Sequence, residues 1–266
     1  MSNIIKIGTL NAHNDEINRM GGIRNDGVDN TKLLADYINE SGFYVLGTQE
    51  LSRKFSKSLL NKLSNYKLYG GYRYAGRVLK LLPILGKYNE NNAIITNQNV
   101  LTTQTYSLPW IPRKLRNLFK AITKRTIKPR IVTKTKIKDT RFGILYIVNT
   151  HLDYQDRTIQ TRQTDYIIRF ITPLLKKYPV IITGDFNMEI NHPVFKKFIS
   201  NLNNLGLKRI EVSTKTNAKK YANKTAIDHI FIPKKWEVQE AGIVKNEILD
   251  QVTDHKLVYA IVKICK

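Results

Sequence analysis

The sequence predicts a layered α/β fold, and three observations carry that reading. Apolar runs of strand length alternate with segments of helical apolar spacing from one end of the chain to the other. Polar residues capable of chemistry recur just past the strand-like runs, where layered α/β proteins usually build their sites. No Pro/Gly/Ser-rich linker and no short repeat breaks the pattern, so residues 1–266 read as one domain.

Taken in order, Ile4 to Leu10 reads as a strand ending at Asn11. Asp29 or Asn30 can cap a helix whose apolar face is Leu33, Leu34, Tyr37 and Ile38, with Gly42 as its stop. Phe43 to Leu46 is a short buried strand that delivers Gln49 and Glu50 just beyond its end. Ala93 to Thr96 and Ile131 to Ile137 are further strands, and Phe142 to Val148 runs directly into Thr150-His151-Leu152-Asp153. Ile159 to Leu175 has helical spacing through Ile167, Ile168, Ile171 and Leu175. Val180 to Ile182 leads into Gly184-Asp185-Phe186-Asn187, and Ala226 to Ile232 carries Asp228 and His229. Leu257 to Ile264 closes the chain as a strand, preceded by Thr253-Asp254-His255.

Composition excludes several classes. A chain this long can bury roughly 70–75% of its unfolded surface, and 42% hydrophobic with 24% charged residues is neither disordered nor fibrous. Cys265 is the only cysteine, so neither an intrachain disulfide nor a thiolate zinc site can form. The N-terminal apolar run is broken by Lys6, and no stretch reaches the ~20 apolar residues of a membrane span. A soluble, cytoplasmic monomer is expected. Lys and Arg number 44 against 21 Asp and Glu, so the net charge is 44 − 21 = +23. Such a field attracts polyanions: nucleic acid, acidic lipid surfaces or phosphorylated metabolites.

The residues past the strands suit one chemistry. Singly, each has a plain structural reading: Asn11 as a turn former, Glu50 at a helix start, Gly-Asp-Phe-Asn as a turn. Jointly they point elsewhere, because several acids, two Asn and two His all follow apolar strands. Glu50 and Asp254 are hard oxygen ligands that suit Mg2+ or Mn2+, an ion that would screen phosphate charge and polarise a P–O bond. Asp185 could orient or deprotonate a water, with Asn187 fixing that water or a phosphate oxygen. His151 and His255 could donate to non-bridging oxygens, and Asp228 could hold the His255 ring and raise its pKa.

The ordered set of Asn11, GTQE with Glu50, THLD with His151, GDFN with Asp185 and Asn187, IDHIF with Asp228, and TDHKL with Asp254 and His255 resembles the endonuclease/exonuclease/phosphatase superfamily. The resemblance spans residues 3–264. It implies a four-layer α/β sandwich, two central mixed β-sheets flanked by helices, with the active site at one edge. It also implies Mg2+ on Glu50, with Asn11 and Asp254 completing the metal set. Arg162-Gln163 looks like the family's Arg-Gln pattern, read as a supporting pair. Asn91-Asn92-Ala93-Ile94-Ile95 resembles a family strand, which places Asn92 near the substrate or at a plain strand edge.

The sequence departs from the family between Pro109 and Arg130. No Asp or Glu occurs between Asn91 and Lys138, and Arg113 to Arg130 carries eight Lys or Arg residues in eighteen positions. Within this basic insertion at about 110–130, Ile111, Leu115, Leu118, Phe119 and Ile122 recur at helical spacing and leave Lys114, Lys120, Lys124 and Arg125 outside the stripe. Three readings follow: a solvated surface helix, a phosphate-gripping helix that includes Arg113, or an interfacial helix anchored by Trp110 on an anionic membrane. The leading expectation is a Mg2+-dependent nuclease acting on DNA or RNA. A phosphohydrolase acting on phospholipid or inositol-phosphate head groups is the alternative.

Overall fold

The computed structural model describes residues 3–13, 22–24, 26–73, 89–109, 129–141, 143–212 and 226–265. Among these lie twelve strands and five helices. The strands are β1 (Ile4–Asn11), β2 (Val45–Ser52), β3 (Lys67–Tyr69), β4 (Glu90–Thr96), β5 (Asn99–Ser107), β6 (Ile131–Asp139), β7 (Gly143–His151), β8 (Val180–Asp185), β9 (Leu207–Arg209), β10 (Asp228–Pro233), β11 (Glu237–Ile243) and β12 (Val258–Lys263). The helices are α1 (Asn30–Ser41), α2 (Arg53–Leu60), α3 (Arg157–Leu175), α4 (Pro193–Asn204) and α5 (Glu247–Val252).

The strands form two mixed six-stranded sheets, ordered β11-β12-β1-β2-β4-β3 and β5-β6-β7-β8-β10-β9. Each contains one parallel pair, β1 with β2 and β7 with β8. The sheets pack face to face through Ile7, Val45 and Ile94 from the first against Ile147, Ile181 and Ile230 from the second, with buried Trp236 among them. On the outer face of the first sheet lie α1, α2 and α5, packed through Leu34, Ile38, Phe55, Leu59 and Leu249. On the outer face of the second lie α3 and α4, through Ile167, Ile171, Phe195 and Phe198. The architecture is thus the layered α/β fold that the apolar pattern predicts, in the four-layer form that the resemblance implies.

Local chemistry sets the ends of the elements. The Asp29 side chain accepts from Thr31 N and Lys32 N to start α1, and Gly42 ends it at φ 66°, where a side chain would be strained. Gly47 marks the closest approach of the two sheets, since a Cβ there would lie 2.1 Å from Thr183 Oγ1. Two differences from the expected elements matter. The strand expected over Phe43 to Leu46 is β2, which continues through Gln49 and Glu50 to Ser52, so both residues lie inside it. It continues because a bulge between Gln49 and Leu51 absorbs Glu50, whose backbone takes the left-handed conformation at φ 59°. Secondly, Phe142 and residues 110–128 lie outside the described residues, so the expected basic helix carrying Arg113, Lys114, Lys120, Lys124, Arg125 and Trp110 is not described.

Candidate active site

Both parallel pairs end at one edge of the sandwich. β1 ends at Asn11 and β2 carries Glu50; β7 ends at His151, the register partner of Asp185 at the end of β8. Asp228 opens β10 directly opposite Asp185. The loop before β12 joins them because the Thr253 hydroxyl donates to Asn11 O at 2.6 Å and Asp254 N donates to His13 O. Beneath this edge a buried polar seam holds the sheets together. Asn149 Nδ2 donates to Thr48 O and Ala93 O, at 2.9 and 2.8 Å, and Asn149 Oδ1 accepts from Gln49 Nε2 at 2.7 Å and from the Thr183 hydroxyl at 3.2 Å.

Asp185 is held at both oxygens. Asn11 Nδ2 donates to Oδ2 across the sheet junction at 2.9 Å, and Asn187 N donates to Oδ1 at 2.8 Å. Asn187 takes a left-handed backbone at φ 52°, and its Nδ2 lies 2.9 Å from His151 Nε2 while donating to Leu152 O. Burial and the neighbouring Asp228 carboxylate push the Asp185 pKa up to about 7, against the opposing pull of His255 and the Asn11 and Asn187 hydrogen bonds. His255 Nδ1 sits 2.9 Å from Asp228 Oδ2. Burial alone would lower this imidazole, but Asp228 overrides it and raises it to about 10, so the ring carries a proton at neutral pH. Two acid–base groups with displaced pKa values therefore face each other.

Two arginines complete the edge, and sequence reading did not single them out. Arg130 Nη1 lies 3.0 Å and Arg73 Nη2 3.4 Å from His151 Nδ1. Guanidinium nitrogens only donate, so this ring nitrogen accepts and the imidazole is neutral. Burial and the Arg130 charge hold its pKa well below the usual range. Both guanidiniums are buried, Arg73 pairs with Glu90 at 2.6 Å, and among the described residues Arg73 Nε and Nη1 and Arg130 Nε have no hydrogen-bond partner. Glu50 faces this group, 2.6 Å from His13 Nδ1, 3.4 Å from His151 Nδ1 and about 4 Å from each guanidinium. Burial opposes its ionisation, yet the His13 hydrogen bond and the Arg73 charge outweigh burial and hold Glu50 well below the usual carboxylate range. The one signal that sequence offered was position, because Arg130 stands immediately before the strand that lies beside THLD.

Supporting contacts hold the His151 loop. Gln163 Oε1 accepts from Asp153 N at 2.9 Å, and the Asp153 carboxylate accepts from Gln155 N and Asp156 N. Gln163 of the Arg162-Gln163 pair is thus a loop brace. Asn92, read as near the substrate or as a plain strand residue, is buried within β4, where its Nδ2 donates to Ile131 O at 2.7 Å and its carbonyl accepts from Thr133 Oγ1. Its amide serves the sheet junction, since Asn92 pairs with Gln49 of β2 and its side chain reaches across to β6.

The sequence model of the Endonuclease/Exonuclease/phosphatase family matches residues 8–255, from β1 to His255. The chain belongs to this family. Family members are hydrolases acting on phosphoester bonds. Solved structures repeat the fold. An endonuclease/exonuclease/phosphatase from Bacteroides vulgatus superposes with a TM-score of 0.75 at 21% identity, covering 98% of this chain and 99% of that one. A mannosyl-6-phosphatase from Bacteroides thetaiotaomicron gives 0.70 at 19% identity, covering 98% and 100%. The human nocturnin catalytic domain with bound sulfate gives 0.68 at 16% identity, covering 98% and 95%. No curated protein matches the chain by sequence.

Enzymes of this family are generally dependent on a divalent metal, and the donors here fit one. Ligand atoms of Asp185, Asp228 and His255 lie within 4.8 Å of one another. Among the described residues, Asp228 Oδ1 and Asp254 Oδ1 are buried without a hydrogen-bond partner, and Glu50 is an ionised carboxylate. All the oxygens are hard donors, and among the described residues the one cysteine, Cys265, is far along the chain in the C-terminal segment. Sequence reading assigned the metal to Asn11, Glu50 and Asp254 and gave Asp185, Asp228 and His255 catalytic roles; the compact cluster is built from the second set. Among the described residues no helix is long and apolar enough to cross a membrane.

Proposed function

We propose that the protein is a divalent-metal-dependent phosphodiesterase that hydrolyses nucleic acid by in-line attack of water. The supporting observation is the convergence, at one sheet edge, of a poised carboxylate, a charged imidazole and two buried guanidiniums with unpartnered N–H groups. That set suits a phosphate group and the negative charge that develops on it during displacement. The net charge of +23 favours a polyanionic substrate.

Each residue then has a task. Asp185, titrating near neutrality and held at both oxygens, takes the proton of the attacking water. Asn187 beside His151 fixes that water or a phosphate oxygen. His255, anchored at Nδ1 by Asp228, presents its other N–H to a phosphate oxygen. Neutral His151 and the unpartnered N–H groups of Arg73 and Arg130 donate to the remaining oxygens. We assign Mg2+ or Mn2+ to Glu50, with Asn11 and Asp254 completing its ligands, because His255 is protonated and tied to Asp228 and so is a poor ligand at neutral pH. The ion would screen phosphate charge and polarise the P–O bond.

The test is hydrolysis of single- and double-stranded DNA, RNA, phosphoinositides and a sugar phosphate, with Mg2+, with Mn2+ and with excess chelator. Cleavage of a nucleic acid only with metal is expected, falling by ~10²–10³ in Asp185→Asn and His255→Ala. Full activity in chelator would overturn the metal assignment. Turnover confined to the phosphoinositide or the sugar phosphate would move the substrate to a head group or a phosphomonoester.

A further inference from the structure

Away from the active edge, β6 presents a row of lysines on the outer face of the second sheet. Lys134, Lys136 and Lys138 alternate with Thr133, Thr135 and Ile137, which face inward, so the lysines share one side. Successive members stand roughly 6.6 Å apart along the strand. Aromatic rings interleave with them. Lys134 Nζ lies 5.1 Å from the centre of the Phe170 ring and 5.5 Å from Tyr106, and Lys136 Nζ lies 6.0 Å from Tyr146 and 5.8 Å from Tyr178.

Tyr178 continues the row into a cleft of about 740 Å3 at the end of the sandwich opposite Asp185. Lys176 and Lys177, after α3, and Lys234 and Lys235, after β10, line this cleft and are exposed. Arg141 also lines it but is neutralised, since its Nε and Nη2 donate to Asp139 at 3.1 and 2.9 Å. Nearby Glu237 pairs with Lys263. Among the described residues, none of the seven lysines has a carboxylate within ion-pair distance. Seven lysines without a carboxylate partner among the described residues are thus carried by β6 and by the cleft that shares Tyr178 with it, and β6 begins beside Arg130 of the active edge.

We propose that these lysines form a second binding surface, an electrostatic track for the backbone of single-stranded nucleic acid leading away from the active edge. The proposal extends the nuclease reading to substrate recognition outside the chemistry. A row of cations at extended-strand spacing matches the repeat of phosphates along one strand, and half-buried rings between them offer stacking faces. A recessed cleft admits a strand, whereas a flat bilayer would leave the lysines inside it without contact.

The test uses the full-length chain and a fluorescein-labelled 20-residue oligo-dT in EDTA, so that binding is read without hydrolysis. Lys136→Gln/Lys177→Gln/Lys235→Gln is compared with Lys54→Gln/Lys57→Gln/Lys67→Gln, exposed residues of α2 and β3 on the first-sheet side. Both triples change the net charge equally, so the general field cancels. The track triple should bind at least tenfold more weakly, with the slope of log affinity against log salt reduced by about 2, at ~0.7 per lost contact. The control triple should retain the wild-type slope. Equal losses in the two triples, or none, would overturn the track. So would a loss confined to phosphatidylinositol-phosphate vesicles with oligo-dT binding intact. Bis-p-nitrophenyl phosphate is too short to reach the track, so its metal-dependent hydrolysis should be unchanged in the track triple. Wild type failing to hydrolyse it or any nucleic acid, with differential oligo-dT binding preserved, would sink the nuclease reading and leave the track standing.

Discussion

Asn149→Ala should be among the most destabilising single substitutions in the protein, and its size can be worked from the seam beneath the active edge. The side chain is fully buried and makes four hydrogen bonds, two as donor to Thr48 O and Ala93 O and two as acceptor from Gln49 Nε2 and the Thr183 hydroxyl. Truncation strands the Thr183 hydroxyl. Gln49 Nε2 keeps one bond, to Thr9 Oγ1 at 3.2 Å. The two carbonyls are strand groups with ladder partners, so their loss is smaller. One stranded donor, one half-stranded donor and a small polar cavity, at about 1–3 kcal/mol per unsatisfied buried group, sum to about 3–5 kcal/mol. Urea unfolding followed by circular dichroism reads this directly, with an unchanged m-value showing that the transition is the same one. The double variant with Gln49→Ala removes the half-stranded donor as well, so it should cost at least about 0.5 kcal/mol less than the sum of the single changes. A loss below about 1 kcal/mol, or strict additivity of the pair, would refute the seam as the joint between the sheets.

Three further outcomes follow from the site. Asp228→Asn removes the charge that raises His255 to about 10, so the NMR titration midpoint of this ring should fall by at least two units. The sign for stability is fixed: the raised His255 pKa stabilises the metal-free fold fully below about pH 6.5, and this is lost as pH rises toward 10, so urea stability should decline over that window in wild type and less in Asp228→Asn. Asp185, raised to about 7, should give turnover a limb that falls below about pH 7, and Asp185→Asn should abolish that limb together with most of the rate. Glu50→Gly should be about 1 kcal/mol more stable than Glu50→Ala, since both lose the charge and only glycine accepts φ 59° without strain; equal stabilities would show the bulge to be relaxed.

The elements that sequence placed well are those whose signal is local. β1, β7, β8 and α3 are apolar runs or helical stripes packed on both or one face, and the residues just past them are the ones found at the active edge. β5 and β11 escaped notice because both are edge strands, largely exposed, with no alternating apolar face to read. α4 escaped because its apolar side, Val194, Phe195, Phe198 and Leu202, lies in a segment without a side-chain cap.

By itself, then, the chain's pattern of apolar periods determined the class of fold, and its motif set picked out the Asp, His and Asn residues that the fold brings to one edge. The tertiary structure decided how those groups are charged and aimed. The bulge that turns Glu50 into the site, the Asp228 contact that keeps His255 protonated, and the entry of Arg73 and Arg130 beside His151 all depend on neighbours remote in sequence. A lone arginine in a loop reads the same whether it ends in solvent or in the core. Only the closure of two sheets over it removes the water, and with the water gone its field sets the protonation of everything nearby.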